Sequence, residues 1–362
     1  MKNQPMIMLD GVLNGLAVTP ELAIDIGLQL NQKYDELVNF NEHWKGIDIP
    51  RLAVVGLGGL GSRVASYLPN YTELKSIPQI HGPDYLGLDT DRSNALHLSN
   101  NYMPHQIPLG ADDWDDVRSC EGRPKRARKA FQRAFNKPSD LAQQLAEKDV
   151  LILLAGLGGG AGTGLTQALA QHARTMGVLC IVMFTLPMAT EVISISAKKE
   201  LRRVIKYADA VITLSPDDAC IVHASDHDAH AWVESQLAQS AAFVILSMLR
   251  CNNDNDEFAK IKQFFTHAGK VGYEQGSVRL NSPLRRRPIM RFDPQGVPYP
   301  VSKVLVRLEV HAGIDFELAS EFVSGQIERH FGCPSDSQTI LRHEVGTSPS
   351  STIPMHVWWV AN

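Results

Sequence analysis

The stretch Gly156-Leu-Gly-Gly-Gly-Ala-Gly-Thr-Gly164 restricts the fold more than any other part of the chain. An apolar run, Val150-Leu-Ile-Leu-Leu154, leads into it and reads as a buried strand. Leu165-Thr-Gln-Ala-Leu-Ala-Gln-His-Ala-Arg174 follows, with apolar residues at helical spacing. The glycines therefore form a strand-to-helix turn. Six glycines in nine residues let the backbone reach positive φ and approach a ligand with no Cβ in the way. The first turn of the helix behind them has unpaired N–H groups and the positive end of the helix dipole. Together these make an anion cradle, most simply for a di- or triphosphate. Its backbone donors come from Gly158, Gly159, Gly160, Ala161, Gly162, Thr163 and Gly164. No lysine stands here, which separates this turn from the Gly-Lys-Ser/Thr ending of a P-loop.

A second glycine turn lies upstream. Arg51-Leu-Ala-Val-Val-Gly56 reads as a buried strand running into Gly56-x-Gly58-x-x-Gly61. Alone, that spacing is the dinucleotide fingerprint of an NAD-dependent oxidoreductase, with Asp84 or Asp89 at the distance of a ribose-binding acid. With two such turns on neighbouring strands, one nucleotide held between them accounts for both, and Gly58, Gly59 and Ser62 join the cradle. Tyr85-Leu-Gly-Leu-Asp89-Thr90-Asp91 then ends a short strand in acids. Asp91 suits a magnesium-bound water, a ribose or the cap of a following helix. Arg123-Pro-Lys-Arg-Ala-Arg128-Lys129 opens a helix and either closes over a terminal phosphate or is solvated.

Further buried strands at 178–184 and 210–214 flank a helix over 196–207. Such alternation predicts an α/β fold with a doubly wound, mostly parallel sheet over 51–228 and ligands at the carboxyl ends of its strands. His223, His227 and His230 recur at i, i+4, i+7, open to a metal site or to a polar loop entering a helix. A long apolar helix over 229–251 connects to a smaller α+β domain at 252–362, with a helix over 316–331 and strands near 303–310, 339–345 and 355–360. Residues 1–50 form a partly helical extension, with a helix from Thr19-Pro20 to about residue 42 that packs on the body or binds a partner.

Five dispersed cysteines without a CxxC pair predict reduced, intracellular thiols rather than disulfides or zinc. A net charge of −4 gives no global pull toward nucleic acid or an acidic membrane. No apolar run is long enough to span a bilayer, and the N-terminus lacks the layout of a signal peptide. The expectation is a cytoplasmic protein with neither a nucleic-acid partner nor a membrane segment.

The ordered set of motifs resembles the FtsZ/tubulin superfamily of GTP-dependent filament proteins, nearer the FtsZ branch. Gly158-Gly-Gly-Ala-Gly-Thr-Gly164 is similar to its signature GGGTGTG, with Ala161 for the first threonine. Residues 54–62 resemble its first glycine loop, and Leu88-Asp-Thr-Asp91 its VNTD. Pro187 with Glu191, Leu214-Ser-Pro-Asp217-Asp218, Asn281-Ser-Pro-Leu284 and Ala312-Gly-Ile-Asp-Phe316 match in order and spacing. The resemblance implies GTP or GDP with Mg²⁺ ordered by Asp91, Glu191 on the ribose, and Asp217 or Glu234 on the guanine base. It also implies a head-to-tail polymer of this chain, or co-assembly with another FtsZ-like subunit. The loop 252–260 would enter the next subunit's nucleotide site, making Asn255, Glu257 and Lys260 the catalytic candidates.

Two departures qualify that expectation. The loop's two family aspartates are Glu257 and Lys260 here, and the base-stacking aromatic is His230. A protonated lysine cannot accept a hydrogen bond from an attacking water. Slow GTP turnover is therefore expected, with a non-hydrolysing regulatory paralogue as the alternative to an active GTPase.

Overall fold

In the computed structural model, the described residues are 50–71, 74, 82–91, 105–109, 120, 122–136, 145, 147–219, 226–249, 255–280, 288–292, 301–311, 314–344 and 352–361. The helix expected over 19–42, His223 and the 281–284 motif lie outside them.

The N-terminal half alternates strand and helix, as the apolar runs require. β1 (Leu52–Leu57) leads into α1 (Gly58–Tyr67), and β2 (Asp84–Asp89) and β3 (His105–Pro108) follow. Next come α2 (Pro124–Asn136), β4 (Val150–Gly156), α3 (Ala161–Met176), β5 (Leu179–Thr185), α4 (Ser194–Ile205) and β6 (Ala210–Leu214). All of these strands pair in parallel, in the order β6-β5-β4-β1-β2-β3. Their side chains alternate between two core layers. Ala53, Val55, Leu57, Leu151 and Leu153 face the layer under α2, α3 and α4. Leu52, Val54, Val150, Ile152 and Leu154 face the layer under α1 and the later helices.

After α5 (Pro216–Ala219), the 24-residue α6 (Asp226–Leu249) runs along that second layer. Its residues 237–249 are almost all buried, which explains a helix with no polar face in that half. α7 (Asn255–Phe265) follows. This corrects the expected contact loop at 252–260, which is helical from Asn255 onward. Glu257 in its first turn stands where the helix dipole favours a carboxylate.

The remaining strands are β7 (Gly269–Arg279), β8 (Ile289–Arg291), β9 (Val301–Val310), β10 (Gln338–Glu344) and β11 (Ile353–Ala361), with α8 (Phe316–Phe331) before β10. They extend the same sheet in the order β10-β9-β11-β7-β6. β7 is the pivot, parallel to β6 on one side and antiparallel to β11 on the other. Sequence periodicity missed this strand because Gly272 and Gly276 interrupt its apolar pattern. A Cβ on Gly272 would run into the indole of Trp359, its cross-strand partner, and one on Gly276 would lie 2.7 Å from Met355 Cε. These glycines make room for large side chains of β11. Among the described residues, no helix is long and apolar enough to cross a membrane.

A buried polar cluster ties α6 to the C-terminal strands. Arg307 on β9, 2% exposed, donates to Phe243 O at 3.3 Å and Ser247 Oγ at 3.2 Å. His356 on β11 stacks on the Phe243 ring at 3.6 Å between centroids, and its Nδ1 is 3.1 Å from the Tyr273 hydroxyl. Its Nε2 lies 3.5 Å from Glu309 Oε1. Burial holds the His356 imidazole below its usual range, aided by Arg307 and opposed by Glu309. Below about pH 6.5 the unfolded chain takes up a proton that the folded His356 resists, so stability falls as the pH drops from there. Replacing His356 by Gln removes this contribution. The urea-unfolding free energy of the variant should fall less steeply between pH 7 and 5.5, by up to ~1.4 kcal/mol per pH unit. Identical slopes would contradict a neutral buried histidine.

Candidate functional site

Two strand-to-helix turns meet at the carboxyl ends of β1 and β4. α1 begins at Gly58 directly after β1, and Gly58 has φ +70°. A Cβ there would sit 2.7 Å from the Gly162 nitrogen. A Cβ on Gly162 would in turn lie 2.8 Å from Gly156 O and 3.2 Å from Leu57 O. The two turns therefore touch backbone to backbone. The outer glycines of the first turn serve packing: a Cβ on Gly61 would strike the Leu154 carbonyl, and one on Gly56 would lie 2.5 Å from Gly61 O.

Both helices that leave these turns lack a side-chain cap and have no acidic residue in their first turn. Gly58, Gly59, Gly159, Gly160, Ala161 and Gly162 line one shared cavity of about 400 Å³. Two uncapped helix N-termini facing one cavity form a site for a negatively charged group, because N–H donors and dipoles point the same way. The other expected cradle residues, Ser62, Gly158, Thr163 and Gly164, lie outside the cavity lining. Thr163 Oγ1 accepts from the Gly158 N–H at 2.9 Å, and Ser62 Oγ donates to Gly56 O at 3.2 Å. Both side chains are buried away from the cavity lining. Gly158, at φ +107°, lies under Ile193, and Gly164 packs on α2 beside Ala127.

The cavity's second wall is the end of β2. Asp89, 3% exposed, accepts the Thr90 and Asp91 N–H groups through Oδ1 at 2.7 and 3.1 Å. This tight turn carries Asp91 onto the cavity wall. Asp84, the other acid considered for a ribose, sits at the opposite end of β2 and pairs with Lys148 at 2.5 Å. Among the described residues no group of three His, Cys, Asp or Glu is placed to hold a metal. A magnesium ion here would take its remaining ligands from phosphate and water, which suits one carboxylate beside an anion cradle.

The third wall follows β5 and includes Thr185, Leu186, Pro187, Glu191 and Ile193. Glu191 Oε1 accepts the Met188 N–H at 2.8 Å and lies 3.8 Å from His230 Nε2 on α6. His230 also lines the cavity. Asp217 accepts the Ala189 N–H at 3.0 Å and so braces this loop from outside the cavity. Glu234, one turn beyond His230, makes a two-point pair with Arg63 of α1 at 2.9 and 2.6 Å. Glu257 and Lys260 are not in the cavity lining, and Lys260 is exposed on α7. Sequence reading had not marked Cys120, Thr185 or Ile193 as wall residues. Ile193 could be found only from the glycine it covers.

The comparisons agree with this geometry. A profile for the Tubulin/FtsZ family, GTPase domain, matches residues 51–219. The cell division protein FtsZ of Helicobacter pylori is 24% identical over 217 residues, covering 59% of this chain and 53% of that protein. The chain thus matches about half the length of its curated relatives. An empty FtsZ dimer from M. jannaschii superposes with TM-score 0.70 at 17% identity, over 90% of this chain and 91% of that one. A GTPγS-bound protofilament of CetZ2 from Haloferax volcanii gives TM-score 0.65 at 17% identity, over 85% and 92%.

The backbone contact between the turns yields a direct expectation. Gly162→Ala should destabilise the fold by ~1–3 kcal/mol through overpacking. Gly159→Ala should change it by less than ~0.5 kcal/mol, since a Cβ there meets nothing within 4 Å. Urea unfolding of the two variants checks this, and equal losses would contradict the packing described.

Proposed function

We propose that the chain, whose residues 51–219 match the Tubulin/FtsZ family GTPase domain and whose fold is like that of FtsZ, is a divergent member of that superfamily that binds GTP and assembles head to tail into filaments. The observation that carries the reading is the cavity shared by two uncapped helix N-termini. Backbone N–H groups of Gly58, Gly59 and the turn 159–162 hold the phosphates, and Glu191 and His230 stand by the sugar and base. Magnesium, when bound with the nucleotide, neutralises phosphate charge, and Asp91 is the carboxylate that would hold it or its waters. Glu234 reads the guanine edge through lone pairs left over from its contact with Arg63, since a carboxylate offers about four. Asp217 positions the loop that carries Glu191.

Calorimetric titration tests nucleotide choice. GTP should bind more tightly than ATP by ~1–3 kcal/mol, because adenine leaves a polar partner unpaired. Tighter binding of NADH would overturn the reading.

Glu257 and Lys260 lie away from their own chain's cavity, which suits presentation of these two, with Asn255, to the nucleotide of a neighbouring copy in an open, heterologous filament. Glu257 is the carboxylate that orients water there. Lys260 neutralises charge without accepting a proton. Turnover is accordingly slow and filaments long-lived. Phosphate release should rise about tenfold or more in Lys260→Asp under conditions where both proteins polymerise, within the ~10²–10⁴ that a positioned acid–base group contributes. Brisk wild-type release, unchanged in the variant, would show that the lysine is no brake.

A further inference from the structure

Helices α2, α3 and α4 cover one face of the parallel sheet and bury their apolar sides in one layer. Their sequences, PKRARKAFQRAFN, AGTGLTQALAQHARTM and SISAKKELRRVI, contain ten Lys or Arg and one carboxylate, Glu200. The whole chain carries −4, so this face is opposite in sign to the remainder. Glu200 is already engaged, with Arg128 of α2 at 3.5 Å and Arg203 at 2.5 Å. α3 packs against both α2 and α4, and Arg128 of α2 reaches Glu200 of α4, so the outer sides of the three helices form one surface. Lys125, Lys129 and Arg133 are exposed along α2, and Lys198, Lys199 and Arg202 along α4.

The N-terminal end of α4 adds a second, independent feature. Val192 is 93% exposed and Ile195 81% exposed. Ile195 precedes Lys198, Lys199 and Arg202 by three, four and seven residues, so it shares their helix face. Two large aliphatic side chains standing in water beside a row of cations match the surface of an interfacial membrane element.

We propose that this face is a peripheral docking site for membranes rich in anionic lipid. The lysines and arginines meet lipid phosphates, and Val192 and Ile195 enter the headgroup–acyl boundary. A nucleic acid would use the cations but leave both aliphatics in water, and these three helices expose no large aromatic for base stacking. A second copy would need an apolar patch to receive them. Of the other large apolar side chains exposed among the described residues, Ile193 belongs to the same stretch and lines the cavity, while Tyr67 and Leu318 lie on elements far apart in sequence. Attraction to a charged surface is long-ranged and screened by salt, so docking is reversible and independent of any membrane-spanning segment.

Flotation of the full chain with phosphatidylserine-rich or pure phosphatidylcholine vesicles, at low and high salt, tests the proposal. The full chain is required because Asp112, Asp113, Asp115, Asp116 and Glu121 lie just upstream of α2 and outside the described residues. The chain should float with the anionic vesicles alone, and less at high salt. The triple variant Lys198→Glu, Lys199→Glu, Arg202→Glu should lose at least about tenfold in binding. Val192→Ser with Ile195→Ser should lose about tenfold while keeping the salt dependence. Melting temperature and GTP binding serve as controls for folding in both variants. Absence of flotation, equal binding by the variants, tighter binding to duplex DNA than to vesicles, or a change confined to self-association would each overturn the proposal.

Discussion

The contact between Gly58 and Gly162 is the constraint on which the site depends. Two strand-to-helix turns can open onto one cavity only if their backbones come within van der Waals distance, and any Cβ at either position blocks this. The contact in turn requires β1 and β4 to be hydrogen-bonded neighbours in register, Gly56 opposite Leu154 and Leu57 opposite Ala155. That register is fixed by strands buried on both faces, where a one-residue slip would exchange two core layers. The polarity of the site is thus a consequence of apolar strand packing. The donors are backbone groups, so side-chain substitutions around the turns leave the cradle intact while a Cβ at the contact does not.

A second constraint runs along α6. One end of this helix supplies His230 to the cavity wall and Glu234 to Arg63 of α1. Its far half is held by Arg307, which reaches Phe243 O and Ser247 Oγ from β9, and by His356, which stacks on Phe243. Removing one partner from such a buried group typically costs more than the contact itself contributes, because the other is left desolvated. The cavity wall and the C-terminal strands therefore share one helix, which joins His230 to the contacts of Arg307.

Much of this was legible in the sequence. Continuous apolar runs ending in glycine marked β1 and β4, and the order of the motifs pointed to the family whose GTPase-domain profile matches residues 51–219. The parts that were hidden have physical reasons. β7 carries glycines that make room for Trp359 and Met355, so its pattern looks like a loop until β11 is set beside it. Asn255–Phe265 begins its helix earlier than its apolar periodicity suggests, because the first turn is polar and acidic. The partner of Glu234, Arg63, stands 171 positions away in sequence. Long-range ion pairs and cross-strand fits leave no periodic signal in one chain.

The central claim is that two glycine turns, joined through Gly58 and Gly162, act as one cradle for the phosphates. Hydrogen–deuterium exchange of the amides at 58–62 and 158–164, with and without GDP and magnesium, tests it most directly. Bound nucleotide should slow exchange in both turns together, with the same concentration dependence. Protection of one turn alone, or of neither while nucleotide is demonstrably bound, would contradict the account.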